Sequence, residues 1–362
     1  MRKMILPPWL RRAKSRIFRV PTLRSHSILN AHDFRLAADR ERARAGRSGL
    51  PLSILAIALP PDHKSLRDFA FLSRLLSRRL RATDIAGYLS DGRAAVLLPD
   101  TPKAGAWKVA SDLCDFFPVG SARPSCEVYV YPDESVSTRG EQESPVGQSK
   151  EEAGDSVEAL FAQPTPMLKR AVDVVGAVVG LLMTAPLMLI VAALIKVTSR
   201  GPVFYSQLRE GHGGRRFYIY KLRSMRVGAH QEQSALRGLS EQDGPAFKMR
   251  HDPRITWIGG YLRKTSLDEL PQLWNVLVGE MSLVGPRPLP VEESLKCAPW
   301  QRRRLDVKPG LTCVWQVRGR STVTFESWMR MDLEYLQRGS FSFDVKLLLS
   351  TIPSLLLKRG PR

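Results

Sequence analysis

The chain has 362 residues, enough for two domains, and a formal net charge of +20. This excess of positive charge suits an anionic membrane surface and phosphate-bearing substrates. Nucleic acid is the competing polyanion, but the chain has no zinc-finger spacing and no stacking-aromatic motif, so we expect no nucleic-acid partner. The four cysteines show no paired spacing, which favours a reduced, cytosolic setting without structural zinc.

The charge is unevenly distributed and outlines the domain organisation. Residues 1–50 carry 13 basic and 3 acidic groups, whereas residues 133–163 carry 2 basic and 8 acidic groups. Residues 1–29 lack the apolar core of a secretion signal, and we expect a basic tail that touches anionic lipid. Residues 133–166 are acidic and rich in Ser, Gln, Gly and Pro, so they cannot bury a core and should form a flexible linker.

Between the tail and the linker, residues 30–132 alternate between helical and strand patterns, which predicts a compact α/β domain. Residues 52–59 are an apolar run typical of a strand, and a turn at Ser90-Asp91-Gly92 separates two further strands. The predicted order is helix 31–47, strand 52–59, helix 66–82, strands 85–89 and 94–98, helix 104–117 and strand 126–131.

Two segments of this domain, RSGLPLSILAIAL and RRLRATDIAGYLSDGRAAVLLPDT, resemble the nucleotide-cyclase-like fold of diguanylate cyclases. The signature turn of that family reads Gly-Gly-Asp/Glu-Glu-Phe, whereas residues 90–94 here read Ser-Asp-Gly-Arg-Ala. Residues 57–59 are apolar where the family has a metal-binding Asp. A cyclase needs carboxylates to hold two magnesium ions at its phosphates. The resemblance therefore implies a catalytically inactive regulatory or assembly module.

A long apolar run follows the linker, over residues 171–197. It is long enough to cross a bilayer of roughly 30 Å at about 1.5 Å per residue, so a plain transmembrane helix is one interpretation. However, Pro186 removes a backbone hydrogen bond in the middle of the run. Basic residues, which favour the cytoplasmic side, flank both ends (Lys169, Arg170, Lys196 and Arg200). We therefore predict a helix–break–helix hairpin over residues 168–197 that enters and leaves one leaflet, with Asp173 near the interface beside an Arg.

The most informative stretch is residues 263–288, RKTSLDELPQLWNVLVGEMSLVGPRP. Adjacent carboxylates, Asp268 and Glu269, stand where a helix should begin, since Pro271 is tolerated only in a first turn. Gly279 stands where the C-terminal cap belongs. Helical spacing predicts one apolar face, formed by Leu270, Leu273, Trp274 and Leu277.

Two interpretations of the acidic pair remain open from spacing alone. Ser266 and Glu269 match a capping box, which is purely structural. Alternatively, two acids at the positive end of a helix, close to arginines, suit a metal-bound phosphate ester. The prolines that flank Arg287 restrict the backbone and so determine where this side chain points.

This stretch closely resembles the signature of the bacterial sugar transferases, the monotopic phosphoglycosyl transferases, and the resemblance extends over residues 166–358. It implies that Asp268 is the nucleophile and that Glu269 supports it beside a magnesium ion, with both carboxylates as metal ligands. It also implies a re-entrant membrane helix.

Further motifs carry the same resemblance. Residues 215–225 (RRFYIYKLRSM) suggest Lys221 and Arg223 as phosphate or nucleotide contacts, and residues 310–320 match another family motif. The resemblance implies anion-binding roles for four arginines and orienting roles for two acids, namely Arg263, Arg287, Arg318, Arg320, Asp332 and Asp344. Without the family, a cluster of arginines and acids is most often a solvated salt-bridge surface.

The fold class that we expect is α/β, with a cyclase-like α/β domain followed by a mostly helical monotopic membrane domain over residues 167–358. The resemblance implies that a UDP-sugar and undecaprenyl phosphate give undecaprenyl-diphospho-sugar and UMP, with Mg²⁺ as cofactor. This reaction initiates exopolysaccharide, capsule or O-antigen synthesis on the cytoplasmic face of the bacterial inner membrane, in contact with its anionic lipids. Two alternatives are a catalytically inactive scaffold and a nucleotide-sensing regulator. The sequence does not reveal the sugar, and it leaves a homodimer open.

Overall fold

A computed structural model describes residues 28–59, 66–117, 124–132, 157–318 and 323–356. Their contacts divide the chain into two compact units. The first unit draws on residues 1–38, 54–99 and 104–128, and the second on residues 39–53, 100–103 and 129–362. Residues 1–27 of the predicted tail and most of the predicted linker lie outside the described residues.

The helices and strands predicted for residues 30–132 are confirmed, with differences of a few residues at their ends. The four strands form one sheet in the order β2-β3-β1-β4, in which β2 and β3 are antiparallel. The elements are α1 (Ala31–Ser48), β1 (Leu52–Ala58), α2 (Leu66–Arg79), β2 (Ile85–Tyr88), β3 (Ala94–Leu98), α3 (Lys103–Asp115) and β4 (Ser125–Tyr131).

The turn between β2 and β3 is held by its own side chains. The Leu89 N–H donates to the Arg93 carbonyl at 2.8 Å, and Gly92 has a φ of +85°, a conformation that glycine adopts without strain. Asp91 accepts a hydrogen bond from Arg93 Nε at 2.8 Å, and Arg93 also contacts Glu127. Asp91, the acid of this turn, is therefore neutralised by its neighbour.

The second unit holds the longest helix and two small sheets. One sheet has the order β6-β5-β8, and β7 pairs with β9 in parallel. The elements are α4 (Val157–Phe161), α5 (Met167–Thr198), β5 (Phe204–Glu210), β6 (Arg216–Leu222), α6 (Gln233–Leu236), α7 (Trp257–Thr265), α8 (Gln272–Val278), β7 (Ser282–Val284), β8 (Leu289–Pro290), α9 (Val291–Leu295), α10 (Pro299–Arg302), β9 (Gly310–Thr312), α11 (Val314–Arg318), α12 (Phe325–Arg338) and α13 (Phe341–Leu356), with short 3₁₀ turns between them.

The start of α5 is anchored to the rest of this unit by charged side chains. Lys169 donates to Asp344 at 2.6 Å, and Arg170 donates to the carbonyls of Val276 and Leu277, which end α8. The expectation that Asp173 lies at the interface beside an Arg is wrong. Asp173 is 2% exposed and accepts hydrogen bonds at 2.9 Å from the Ser282 hydroxyl and the Leu283 N–H. Both hydrogen bonds reach Oδ1, whereas Oδ2 is buried without a hydrogen-bond partner among the described residues.

Helix α5 has buried residues toward each end, and its middle is exposed. Ala177 packs in one core cluster of the unit, and Val191 and Ile195 pack in another. No residue between Ala177 and Val191 is fully buried. Residues 167–198 form one helix that is long and apolar enough to cross a membrane, with Pro186 inside it, so the predicted break is not confirmed.

The boundary between the units differs from the predicted one because residues 39–53 group with the second half of the chain. Within that second unit, the fully buried Arg42 donates to Asp306 at 2.9 Å, and its guanidinium lies 3.9 Å from the centre of the Phe161 ring. A buried arginine paired in this way adds stability only while its partner stays charged.

Candidate active site

The acidic pair lies in a connection between two helices. Helix α7 ends at Ser266, whose φ of +59° is left-handed, and residues 267–269 then form a 3₁₀ turn. Helix α8 begins only at Gln272, so the prediction that it starts at Asp268 is wrong. The capping-box interpretation is also wrong, because Ser266 makes no side-chain cap and Glu269 bonds elsewhere. The predicted C-terminal cap is confirmed, since Gly279 has a φ of +94°.

The buried side chains of α8 also differ from those that the apolar spacing predicts. Trp274 is 52% exposed, so the predicted apolar face is wrong at this residue. Asn275 is instead fully buried, and it ties α8 to β6 by accepting from the Tyr220 N–H at 3.2 Å and donating to the Tyr218 carbonyl at 2.7 Å. This amide keeps the acidic turn at a constant position beside the sheet.

The loop at residues 286–288 is held at each of its three carbonyl groups. The Pro286 carbonyl accepts from the Gly310 N–H at 2.9 Å. The Arg287 carbonyl accepts from Arg304, and the Pro288 carbonyl accepts from Arg209 Nη1 at 2.9 Å. The prediction that this loop restricts Arg287 gains a physical basis here, because the flanking prolines and three hydrogen bonds fix the backbone that carries it.

Two cations hold Glu269. Arg287 donates to both of its carboxylate oxygens, one of them at 3.0 Å, and Lys221 Nζ donates to Oε1 at 3.1 Å. Burial would raise the pKa of Glu269, but Arg287 and Lys221 hold it well below its usual value. Glu269 is therefore a fixed anion that joins the loop, β6 and the acidic turn.

Asp268 has a different environment. It is 6% exposed, and burial raises its pKa above the usual value, against the attraction of Lys221. The cations Lys221, Arg263 and Arg287 act on Asp268 through charge. The carboxylate of Glu269 is thus held by hydrogen bonds from two cations, whereas the carboxylate of Asp268 stays available for a ligand.

Two of the predicted anion-binding arginines, Arg223 and Arg318, do not join this cluster. Arg223 donates to the Ser199 and Arg200 carbonyls at 2.8 Å, so in this structure it caps the end of α5. Arg318 is a surface residue paired with Glu334 at 3.1 Å. Arg320 lies outside the described residues.

The two predicted orienting acids lie behind the site. Asp332 is buried and pairs with Arg304 at 2.9 Å. Arg304 in turn donates to the Arg287 carbonyl, so Asp332 supports the loop indirectly. Asp344 accepts from Lys169 and, at 2.8 Å, from Tyr335, and it therefore anchors α5.

Sequence reasoning missed Arg209, Asn275 and Arg304, which position or adjoin the cluster. A signal for Arg209 exists in the strand pattern. Tyr205 pairs with Lys221 across β5 and β6, and Arg209 lies four residues from Tyr205, so it shares the sheet face of Lys221. Asn275 and Arg304 have no such local signal.

Asp268 and Glu269 are suitable as the protein ligands of a magnesium ion. Among the described residues, no group of three or more His, Cys, Asp or Glu side chains could hold a metal alone. Mg²⁺ is commonly bound by one or two carboxylates, with substrate phosphates and water as its other ligands. The donor set of this turn, two adjacent carboxylates, suits that arrangement.

Comparisons with known proteins agree on the second half of the chain. A family model described as bacterial sugar transferase matches residues 164–358. Galactosyl transferase CpsE of Streptococcus agalactiae is 44% identical over 195 residues, which are 54% of this chain and 43% of that protein. Exopolysaccharide production protein ExoY of Rhizobium meliloti is 40% identical over 202 residues, 54% of this chain and 88% of that protein.

A third relative is undecaprenyl-phosphate galactose phosphotransferase of Salmonella typhimurium, which is 39% identical over 209 residues, 56% of this chain and 43% of that protein. The chain thus spans less than half the length of CpsE and of this phosphotransferase. Among solved structures, a DGC protein from Thermotoga maritima is 18% identical and covers 30% of this chain and 86% of its own, with a TM-score of 0.27. The cyclase-like fold of residues 30–132 and its lack of cyclase activity therefore stay predictions.

Proposed function

Because this chain belongs to the bacterial sugar transferase family, we propose that it transfers a sugar 1-phosphate from a UDP-sugar to undecaprenyl phosphate and releases UMP. The proposal draws on the names of similar proteins, which include a UDP-galactose–lipid carrier transferase and a UDP-glucose:undecaprenyl-phosphate glucose-1-phosphate transferase. Their names also support a place in exopolysaccharide or capsule synthesis.

The observation that carries the proposal is the unequal treatment of two adjacent carboxylates. Glu269 is clamped by Arg287 and Lys221, whereas Asp268 meets the same cations only through charge. A nucleophilic carboxylate needs unoccupied oxygens, and two anionic substrates need fixed positive charge before any carboxylate can approach phosphorus. The arrangement supplies both conditions, which assigns Asp268 as nucleophile and Glu269 as the residue that positions the cations.

The reaction then proceeds in two displacements. A carboxylate oxygen of Asp268 attacks the sugar-linked phosphorus, and the phosphoanhydride bond to UMP breaks, so UMP leaves as an anion. An oxygen of undecaprenyl phosphate next attacks the same phosphorus, and the acyl phosphate bond breaks. The products are undecaprenyl-diphospho-sugar and free Asp268. Arg263 and Arg287 neutralise charge on the phosphates in both steps.

Asp268 and Glu269 would hold the magnesium ion together with the substrate diphosphate. When bound, the metal supplies positive charge that neutralises phosphate oxygens and so lowers repulsion toward a carboxylate. The buried turn also excludes water from Asp268, which limits hydrolysis of the acyl phosphate.

The exposed middle of α5 supports a monotopic location on the cytoplasmic face of the inner membrane. Both ends of this helix contact the same unit, whereas Leu182, Met183 and Leu189 are each more than 70% exposed. A helix of 32 residues is about 48 Å long, and a crossing helix would carry one end away from that unit. A helix that enters lipid by its middle and returns meets both constraints, and it holds the site at the height of the lipid phosphate.

Release of UMP tests the proposal. Purified full-length protein in lipid nanodiscs is incubated with undecaprenyl phosphate and a panel of UDP-sugars, beginning with UDP-galactose and UDP-glucose. We expect release with at least one sugar, abolished by Asp268→Asn and unchanged by Glu326→Gln, which neutralises an exposed acid of α12. With β-³²P-labelled substrate and no lipid acceptor, label should remain on the native protein and be absent from Asp268→Asn.

Two rival functions predict different results. An inactive scaffold releases no UMP from any sugar of the panel. A covalent mechanism is refuted if Asp268→Asn keeps near-native release. A nucleotide-sensing regulator predicts binding of a guanine nucleotide by the full chain, which a titration with c-di-GMP and GTP measures directly.

A further inference from the structure

Arg209 is a partly buried cation without an ion pair among the described residues. Its Nη1 donates to the Pro288 carbonyl at 2.9 Å, and its Nη2 donates to Gln207 Oε1 at 2.7 Å. Both acceptors are neutral. Its Nε is buried and has no hydrogen-bond partner in the described part of the chain. A guanidinium has five N–H donors, so most of its binding capacity is unused.

The surroundings of Arg209 make this arrangement costly. Burial and, after it, the positive charge of Arg287 lower its pKa to about 10. At neutral pH the side chain is still charged, and it is held beside a second cation in a poorly solvated place. Buried charges are normally paired, and leaving one unpaired is strongly destabilising. An unpaired charge of this kind needs an explanation, and a missing anionic ligand is one such explanation.

The nearby carboxylates do not supply the missing partner. Glu269 is already bound by Arg287 and Lys221. Glu293 attracts Arg209 through charge, but its Oε1 accepts the Phe247 N–H at 3.3 Å, and burial raises its pKa. No ion pair joins Glu293 to Arg209 among the described residues. Positive charge therefore exceeds what these acids neutralise.

We propose that Arg209 is a substrate-binding residue whose partner is a phosphate oxygen of the reacting molecules. This inference rests on the proposed function, and it adds a cation to the cluster that the sequence motifs identify. Arg209 adjoins Arg287 through the Pro288 carbonyl, so both guanidinium groups can face one polyphosphate. A planar fork with free donors suits two phosphate oxygens at once.

The phosphate has two sources, the nucleotide and the lipid acceptor, which share this chemistry. The test uses full-length protein in nanodiscs and two variants, Arg209→Gln, which removes the charge, and Arg209→Lys, which keeps it but loses the fork. Arg338→Gln, an exposed arginine of α12, is the matched control. The readouts are the KM of each substrate, kcat, and calorimetric binding of UMP, uridine and inorganic pyrophosphate.

We expect Arg209→Gln to raise the KM of one substrate by about 10- to 100-fold, as for loss of a hydrogen bond to a charged group, with partial rescue in Arg209→Lys. Weaker UMP and pyrophosphate binding with unchanged uridine binding assigns the nucleotide phosphates. A raised KM for undecaprenyl phosphate alone assigns the lipid.

A purely structural role predicts another pattern. Arg209 would then only tie Pro288 to β5, so Arg209→Gln should lower the melting temperature and raise the KM of both substrates together. Gln207→Leu, which leaves the Pro288 contact and the charge in place, should change neither. An equal rise of both KM values in Arg209→Gln, or unchanged KM and unchanged anion binding in this variant, overturns the proposal. If the native protein releases no UMP yet binds pyrophosphate through Arg209, the proposed function fails and this site stands. If it neither releases UMP nor binds these anions, both fail.

Discussion

Neutralising the two adjacent carboxylates should change the stability of the protein in opposite directions. In Glu269→Gln, the buried Arg287 and Lys221 lose the anion that holds them. In Asp268→Asn, a charge disappears from a place where burial raises the pKa of the carboxyl and so disfavours the ionised form. Both variants should lose turnover, but only the first should lose stability.

The magnitude follows from the contacts. Removing one partner of a buried ion pair costs roughly 3–5 kcal/mol. The Glu269 side chain keeps 14% exposure, and glutamine still offers an acceptor oxygen, so we expect about 2–3 kcal/mol. At about 2–4 °C per kcal/mol for a domain of this size, Glu269→Gln should melt roughly 5–10 °C below the native protein. Asp268→Asn should melt at the native temperature or slightly above it.

The assay is thermal unfolding of full-length protein in one detergent, followed by tryptophan fluorescence at pH 7. Arg338→Gln serves as the surface control and should melt within about 1 °C of the native protein, since an exposed pair contributes little. The reasoning is refuted if Glu269→Gln melts at the native temperature, or if Asp268→Asn melts several degrees lower.

Two further predictions concern other carboxylates. Burial raises the pKa of Asp332 from 3.8 to about 6 despite its pairing with Arg304. The folded protein therefore binds this proton more tightly than the unfolded chain does, and the stability gained from the proton is lost as pH rises through that range. The melting temperature of the native protein should therefore decline relative to Asp332→Asn between about pH 4 and pH 7, and a constant difference would contradict this. The full chain should form no c-di-GMP from GTP, because Asp91 is bound by Arg93 and Ile57 is apolar; product detected by chromatography would overturn this.

Local pattern was sufficient for the elements whose side chains repeat with a clear period. The apolar strand β1 and the long helix α5 are visible in the sequence because burial or lipid demands apolar residues along their length. The boundary of α8 was missed by four residues, since a 3₁₀ turn and an α-helix share similar residues. Apolar spacing also placed Trp274 on the buried face, because it gave no sign that the polar Gln272 and Asn275 pack inward.

The pairing of charges could not be predicted from the sequence. The motifs identify many arginines and acids, but tertiary distance decides which of them meet. Arg304 pairs with Asp332, 28 residues away, and Arg223 caps a helix that ends 25 residues earlier. Glu269, Arg287 and Lys221 were predicted for one site and are found together, although Lys221 lies 48 residues from Glu269.

The last prediction concerns the course of α5 through the membrane. Because both of its ends contact one unit, Leu168 and Val197 should be accessible from the same, cytoplasmic, side. Single cysteines are placed at these two positions after the four native cysteines are replaced by serine. A membrane-impermeant thiol reagent should label neither position in intact cells and both in inverted vesicles, because both side chains are more than half exposed.

A cysteine in place of Met183 is the matched control, since its side chain is 76% exposed but lies in the middle of the helix. It should resist the reagent from both sides, because lipid covers it. Labelling of Met183→Cys as fast as that of Val197→Cys would mean that lipid does not cover the middle of α5. Labelling of position 168 from one side and of position 197 from the other would establish a single crossing. In that case the packing of both ends on one unit, which excludes a crossing, would have to be abandoned.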